Sequence, residues 1–172
     1  WARVEQPITG GAAMGWMASK YLAPTAHPVA GSGLKEEPWV TVALHELGVR
    51  QVLGAGNDPR VLVYLASTDL DDSLAMTDET PWCSAFVNWC VEVSGYAGTN
   101  SAAARSWLGW GQSIGTARRG CITVLSRDGG GHVGFWMSQT ATTVSVLGGN
   151  QGDRVCVAEY DRKRVLGHRV PV

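Results

Sequence analysis

One proline-led stretch decides the fold. It reads Thr80-Pro81-Trp82-Cys83-Ser84-Ala85-Phe86-Val87-Asn88-Trp89-Cys90-Val91-Glu92-Val93-Ser94-Gly95. Its apolar positions Phe86, Val87, Cys90 and Val93 share one face of a helix. Gly95 is a typical helix stop. The stretch therefore predicts a helix from Cys83 to Val93, with Cys83 in its first turn and one face buried.

Helices are also predicted on both sides of this stretch. One follows Pro38 over 39–47, and a second follows the cap Asn57-Asp58-Pro59 over 60–66. A polar, acidic loop over 67–81 and a short helix over 102–108, capped by Ser101, complete this part.

Strands follow after Gly120, where the pattern changes to short β-branched segments separated by turns. The predicted strands are 122–125, 133–137, 142–147, 155–158 and 165–170. Helices followed by a run of strands are typical of an α+β fold. We therefore expect the Cys83 helix to pack on an antiparallel sheet of about five strands.

The first part of the chain has a different character. Residues 1–23 form a pattern of short strands around the Gly10-Gly11 turn, and residues 24–37 have the Pro, Ala and Gly content of a linker. These features predict a division into a segment 1–23, a linker 24–37 and a main domain 38–172.

Composition excludes several classes of function. The 172 residues are 45% hydrophobic and 17% charged, which predicts a globular core. A net charge of −1 gives no basic field for nucleic acid. The apolar runs are too short to span a bilayer. Four cysteines without a C-x-x-C pair, and no zinc-protease or phosphate-loop motif, predict neither a metal nor a cofactor. Oligomeric state is not indicated.

Cys83 is the candidate nucleophile. At the start of a helix, a thiolate faces unpaired backbone N–H groups and the positive end of the helix dipole, and both favour the charged form. The alternative is a buried structural cysteine, which is the expected role of Cys90 on the apolar face.

His132 is the candidate base. It follows Gly129-Gly130-Gly131 and begins a strand, so it can point into a cleft and take the proton of Cys83. Asn150 ends the next strand, where its amide oxygen would hold the imidazole in one tautomer. The alternatives are a solvated strand-end histidine and a turn asparagine. The backbone N–H of Cys83 would meet the oxyanion.

Tryptophan is abundant, with eight residues in the chain. Most are expected in the core, but an aromatic groove would suit a sugar–peptide polymer. The candidate substrate contacts are Trp82, Ser84 and Trp136.

Five motifs in order resemble a known family. They are Pro81–Cys90, Gly95–Thr99, Ala104–Leu108, Gly131–Phe135 and Leu147–Gln151. Together they are similar to the NlpC-type and CHAP-type branch of papain-like bacterial and phage cell-wall hydrolases, over about residues 38–170. The resemblance implies a papain-like fold and cleavage of an amide bond in peptidoglycan stem peptides. It also implies Cys83 as nucleophile, His132 as base and Asn150 in the third polar position.

Two departures and one further likeness refine this expectation. Trp82 stands where NlpC-type enzymes carry Asp before the nucleophile, which favours uncut stem peptides or the amidase reaction over peptides with a free N-terminus. Cys121 follows Gly120 where many relatives carry Asp, and we expect it to be structural. Residues 1–23 resemble the last strands of a bacterial Src-homology-3-like module, a class that often binds cell-wall peptides.

The resemblance thus implies an endopeptidase or N-acetylmuramoyl-L-alanine amidase that works through a thioester. Its partner would be peptidoglycan, and it would act in the cell wall, the periplasm or outside the cell as a secreted or phage-encoded enzyme. Two alternatives stay open: an inactive wall-binding protein, and an acyl or amide transferase toxin on the same fold, which would have an immunity protein as partner.

Overall fold

The structure is a computed structural model that describes residues 36–172. The expectations for residues 1–23, and for the linker up to residue 35, lie outside the described residues. The described helices are α1 (Pro38–His45), α2 (Pro59–Leu65), α3 (Asp72–Ala75) and α4 (Cys83–Val93). The strands are β1 (Gln112–Ile114), β2 (Ile122–Arg127), β3 (Gly130–Gln139), β4 (Thr143–Gly148), β5 (Cys156–Asp161) and β6 (Val165–Val170). Two 3₁₀ turns span Ala104–Gly109 and Arg162–Arg164.

The helix N-termini differ in how they are capped. Helix α2 begins with Pro59, and the Asp58 side chain accepts hydrogen bonds from the N–H groups of Arg60 and Val61. Helix α4 begins at Cys83 with no side-chain hydrogen bond from its cap residue Trp82. The first N–H groups of α4 therefore stay available to an anion at the position of Cys83.

The strands form one antiparallel sheet in the order β1-β6-β2-β3-β4-β5. Helix α4 packs on β3 and β4, and Phe86 lies 6.4 Å from Phe135 between ring centroids. The expected α+β, papain-like arrangement is therefore confirmed, with the Cys83 helix on an antiparallel sheet. The sheet has six strands rather than the expected five or so. The additional strand is β1, whose three residues were not evident in the sequence pattern.

The core between α4 and the sheet is close-packed. Tyr64 of α2 contacts the rings of Trp82 and Phe86, at centroid distances of 5.9 and 5.2 Å. Gly149, just after β4, lies directly on these rings. A Cβ atom there would be 2.5 Å from the Trp82 ring and 2.7 Å from the Phe86 Cβ, so only glycine fits.

A backbone strap joins the helices to the loop after β4. The strap is residues 48–51, which pair with residues 153–155. Gly48 N donates to Val155 O at 3.0 Å, Val155 N donates to Val49 O at 2.8 Å, and Gln51 N donates to Asp153 O at 2.9 Å. The β4–β5 loop, which carries Asn150 and Gln151, is thus tied to the segment after α1.

Other elements depart modestly from expectation. The short helix expected over 102–108 is the 3₁₀ turn Ala104–Gly109, and the acidic loop contains helix α3. Within residues 36–172, no helix has the length and apolarity needed to cross a membrane. In the same range, His, Cys, Asp and Glu side chains form no group of three or more suited to a metal ion.

Candidate active site

Cys83 lies at the N-terminus of α4, beside strand β3. Burial raises the pKa of its thiol, while the backbone N–H groups of Val133, Ser84 and Cys83 itself lower it in part. The residue keeps 4% of its surface exposed, whereas Cys90 on the same helix has none. Cys83 is thus a neutral thiol at neutral pH, buried as a member of the main core cluster.

His132 lies in β3 opposite Leu125 of β2. Its Nε2 atom is 3.0 Å from Oε1 of Gln151. Burial lowers the pKa of His132 to about 4, against the opposing effect of the Gln151 hydrogen bond. The imidazole is therefore neutral at neutral pH and can accept a proton.

Gln151 determines which nitrogen of His132 is free. Its Nε2 group lies within hydrogen-bond distance of three backbone carbonyls, those of Val146, Gly148 and Cys156, which share its two hydrogens. These bonds orient the amide so that Oε1 faces His132. Because a carbonyl oxygen only accepts, Nε2 of His132 must carry the proton, and Nδ1 is left with a free lone pair.

Tyr160 of β5 completes the surroundings of the imidazole. Its hydroxyl donates to the same Oε1 of Gln151 at 2.8 Å, and its ring centroid lies 5.3 Å from that of His132. Burial, followed by smaller effects that include Cys156 and Cys83, raises the pKa of Tyr160 to about 12. Tyr160 is thus a neutral donor beside the histidine.

The start of α4 lies beside the backbone of β3 next to His132. One of the backbone N–H groups that act on the Cys83 thiol belongs to Val133, the residue after His132. Among the hydrogen bonds of residues 36–172, none joins Cys83 to His132. Catalytic hydrogen bonds are often long before substrate binds.

The third polar position needs a correction. His132 is hydrogen-bonded to Gln151 and not to Asn150. Asn150 adopts a left-handed backbone conformation, with φ of 54°, and is only partly buried. This turn directs the next side chain, Gln151, under the imidazole.

Two of the candidate substrate contacts also need correction. Trp82 is fully buried and packs on Tyr64 and over Gly149. Ser84 is also fully buried; its Oγ donates to Ser101 O at 2.7 Å and accepts from Trp107 Nε1 at 2.9 Å. Both side chains are parts of the core and not of a substrate groove.

Trp136 is partly buried and stays a prediction as a substrate contact. It packs against a small cluster of Leu125, Val144 and Val146. Its indole N–H has no hydrogen-bond partner among the described residues. The sequence analysis did not identify Gln151 or Tyr160 as site residues. Gln151 lies inside a motif already noted, but nothing in the pattern distinguishes it from Asn150.

Comparison with known proteins finds similarity among solved structures. No protein-family model matches the chain, and no curated protein matches it. A crystal structure from Staphylococcus aureus, described as similar to a lipoprotein of the NLP/P60 family, shares 16% sequence identity with a TM-score of 0.44. The match covers 90% of this chain and 47% of the other, so this chain spans about half the length of that protein.

Proposed function

We propose that this protein is a cysteine hydrolase that cleaves an amide bond in bacterial cell-wall peptides. Cys83 is the nucleophile, His132 the general base and Gln151 the group that orients the imidazole. The observation that carries the proposal is the Gln151 amide, which three carbonyls hold with its oxygen on Nε2 of His132. This leaves Nδ1 as the acceptor for a thiol at the start of α4.

The reaction follows from these protonation states. Nδ1 of His132 takes the thiol proton as the Cys83 sulfur attacks the carbonyl carbon of the scissile amide. The carbonyl oxygen becomes an oxyanion, which the backbone N–H of Cys83 at the start of α4 stabilises. The intermediate collapses, and the leaving amine takes the proton from Nδ1. Water then attacks the thioester with the help of the same imidazole, and releases the acid and the free thiol.

The substrate class is supported by the sequence motifs. The five ordered motifs that resemble NlpC-type and CHAP-type enzymes contain Cys83, His132 and Gln151. The substrate would be a peptidoglycan stem peptide, and the protein would act in the cell envelope or outside the cell.

The test is digestion of purified cell walls, with mass spectrometry of the released fragments. Cys83→Ala should abolish release. Cys121→Ala, which removes a thiol 3.8 Å from Thr123 and His168 and outside the proposed triad, should release fragments as the wild type does. Hydrolysis adds one water across the broken bond, so the fragment masses also exclude transfer to another acceptor. Equal release by Cys83→Ala and the wild type would end the proposal.

A further inference from the structure

Three arginines lie at the β2–β3 hairpin, the turn that leads into His132. Arg127 is the last residue of β2 and pairs with Gly130. Arg105 donates from Nε to Gly130 O at 3.1 Å. Arg164, just before β6, donates from Nε to Ser126 O at 2.9 Å. Arg127 is thus part of the hairpin that leads into His132, and the guanidiniums of Arg105 and Arg164 donate hydrogen bonds to its backbone.

No acidic side chain neutralises these arginines within the described range. The ion pairs of residues 36–172 link Arg60 to Glu46, Arg118 to Glu37 and Arg119 to Glu36. Asp128, at the hairpin tip, is exposed and forms no ion pair in that range. The chain as a whole has a net charge of −1, so this concentration of positive charge is local.

The Tyr160 ring lies between the guanidinium of Arg164 and the imidazole of His132, the candidate base. Its Cζ is 5.0 Å from the centroid of the Tyr160 ring, and that ring is 5.3 Å from the ring of His132. Burial has the largest effect, raising the pKa of Cys83 and lowering that of His132, and Arg127 is close enough to lower both. The two guanidiniums therefore lie at the border of the Cys83–His132 site.

We infer that Arg127 and Arg164 bind a carboxylate of the substrate that lies close to the scissile amide. This inference rests on the proposed function and specifies its substrate: a peptide with a free acidic group next to the bond that is cut. A peptide in which that acid is amidated would be a poor substrate.

The geometry of Arg164 suits this role. The Ser126 carbonyl and the Tyr160 ring hold the guanidinium in place through Nε and one face. The terminal nitrogens can then donate to a carboxylate, which accepts such a pair of hydrogen bonds well. Arg164 is partly buried, so its attraction for a carboxylate is screened less than on an open surface, whereas Arg127 is exposed.

The experiment uses two synthetic stem peptides that differ only in one group, a free carboxylate or its carboxamide. Wild-type kcat/KM should favour the carboxylate by about tenfold or more. In Arg127→Gln and in Arg164→Gln the preference should fall toward one. Arg162→Gln, which removes a charge from the same 3₁₀ turn as Arg164, should keep the preference. Equal kcat/KM for the two peptides with the wild type would overturn the inference while leaving the proposed function intact.

A binding arm separates the two ideas. The same peptides are titrated calorimetrically into Cys83→Ala, alone and combined with Arg164→Gln. Tighter binding of the carboxylate peptide, lost when Arg164 is replaced, would support the inference even if the wild type cut neither peptide and the proposed function failed. Equal affinity for both peptides, or binding of neither, would overturn the inference.

Discussion

Acid should destabilise this fold through His132. The folded protein holds the pKa of that imidazole at about 4, chiefly by burial, whereas an exposed histidine titrates near 6.5. Below pH 6.5 the unfolded chain therefore binds a proton that the folded chain does not. Each pKa unit corresponds to about 1.4 kcal/mol, so the free energy of unfolding should fall by about 3 kcal/mol between about pH 6.5 and about pH 4.

Urea unfolding of the wild type and of His132→Gln, at about pH 7 and about pH 4, measures this contribution. The wild type should lose about 3 kcal/mol more than the variant over that range. Other groups that titrate, such as His168 and the carboxylates, are present in both proteins and cancel in the difference. Parallel losses in the two proteins would refute the reasoning, because they would show that the imidazole is accessible to protons in the folded state.

Three further predictions concern the loop after β4. Gln151→Leu removes the acceptor of the Nε2 proton and should lower kcat by roughly 100-fold or more, as measured on a stem peptide. Asn150→Gly keeps the left-handed turn and should change kcat by less than about twofold, since its side chain does not contact the imidazole; a loss as large as that of Gln151→Leu would restore Asn150 to the site. Gly149→Ala places a methyl group against Trp82 and Phe86 and should destabilise the protein by about 1–3 kcal/mol in thermal unfolding, and an unchanged midpoint would contradict the packing described.

The elements that carry the site could be predicted because their signals are local. The apolar face and the glycine stop gave the bounds of α4, Cys83–Val93, and the β-branched run gave β6, Val165–Val170. The start of α4 at Cys83, and of β3 close to His132, follows from proline and glycine placement. Both candidate reacting groups were therefore visible in the sequence.

The remaining site residues depend on directions that a linear pattern does not contain. Asn150 and Gln151 are adjacent amides, and the left-handed φ at Asn150 decides which of them faces His132. Trp82 and Ser84 flank the nucleophile in sequence, but their side chains enter the core. The placement of Arg127 and Arg164 at the same end of the sheet requires the β2–β6 register, which pairs Leu125 with Val165. Such long-range pairings are set by tertiary packing.

The backbone strap of residues 48–51 also affects how the proposed activity would be lost. Its hydrogen bonds attach the segment after α1 to the same loop that aims Gln151 at the imidazole. If the hydrogen bonds of the strap broke, the His132 ring could flip or change its tautomer while the helices and the sheet stayed folded. Loss of catalysis would then precede loss of structure during gentle denaturation. Turnover would therefore report the loss of the strap hydrogen bonds more sensitively than a spectroscopic measure of helix or sheet.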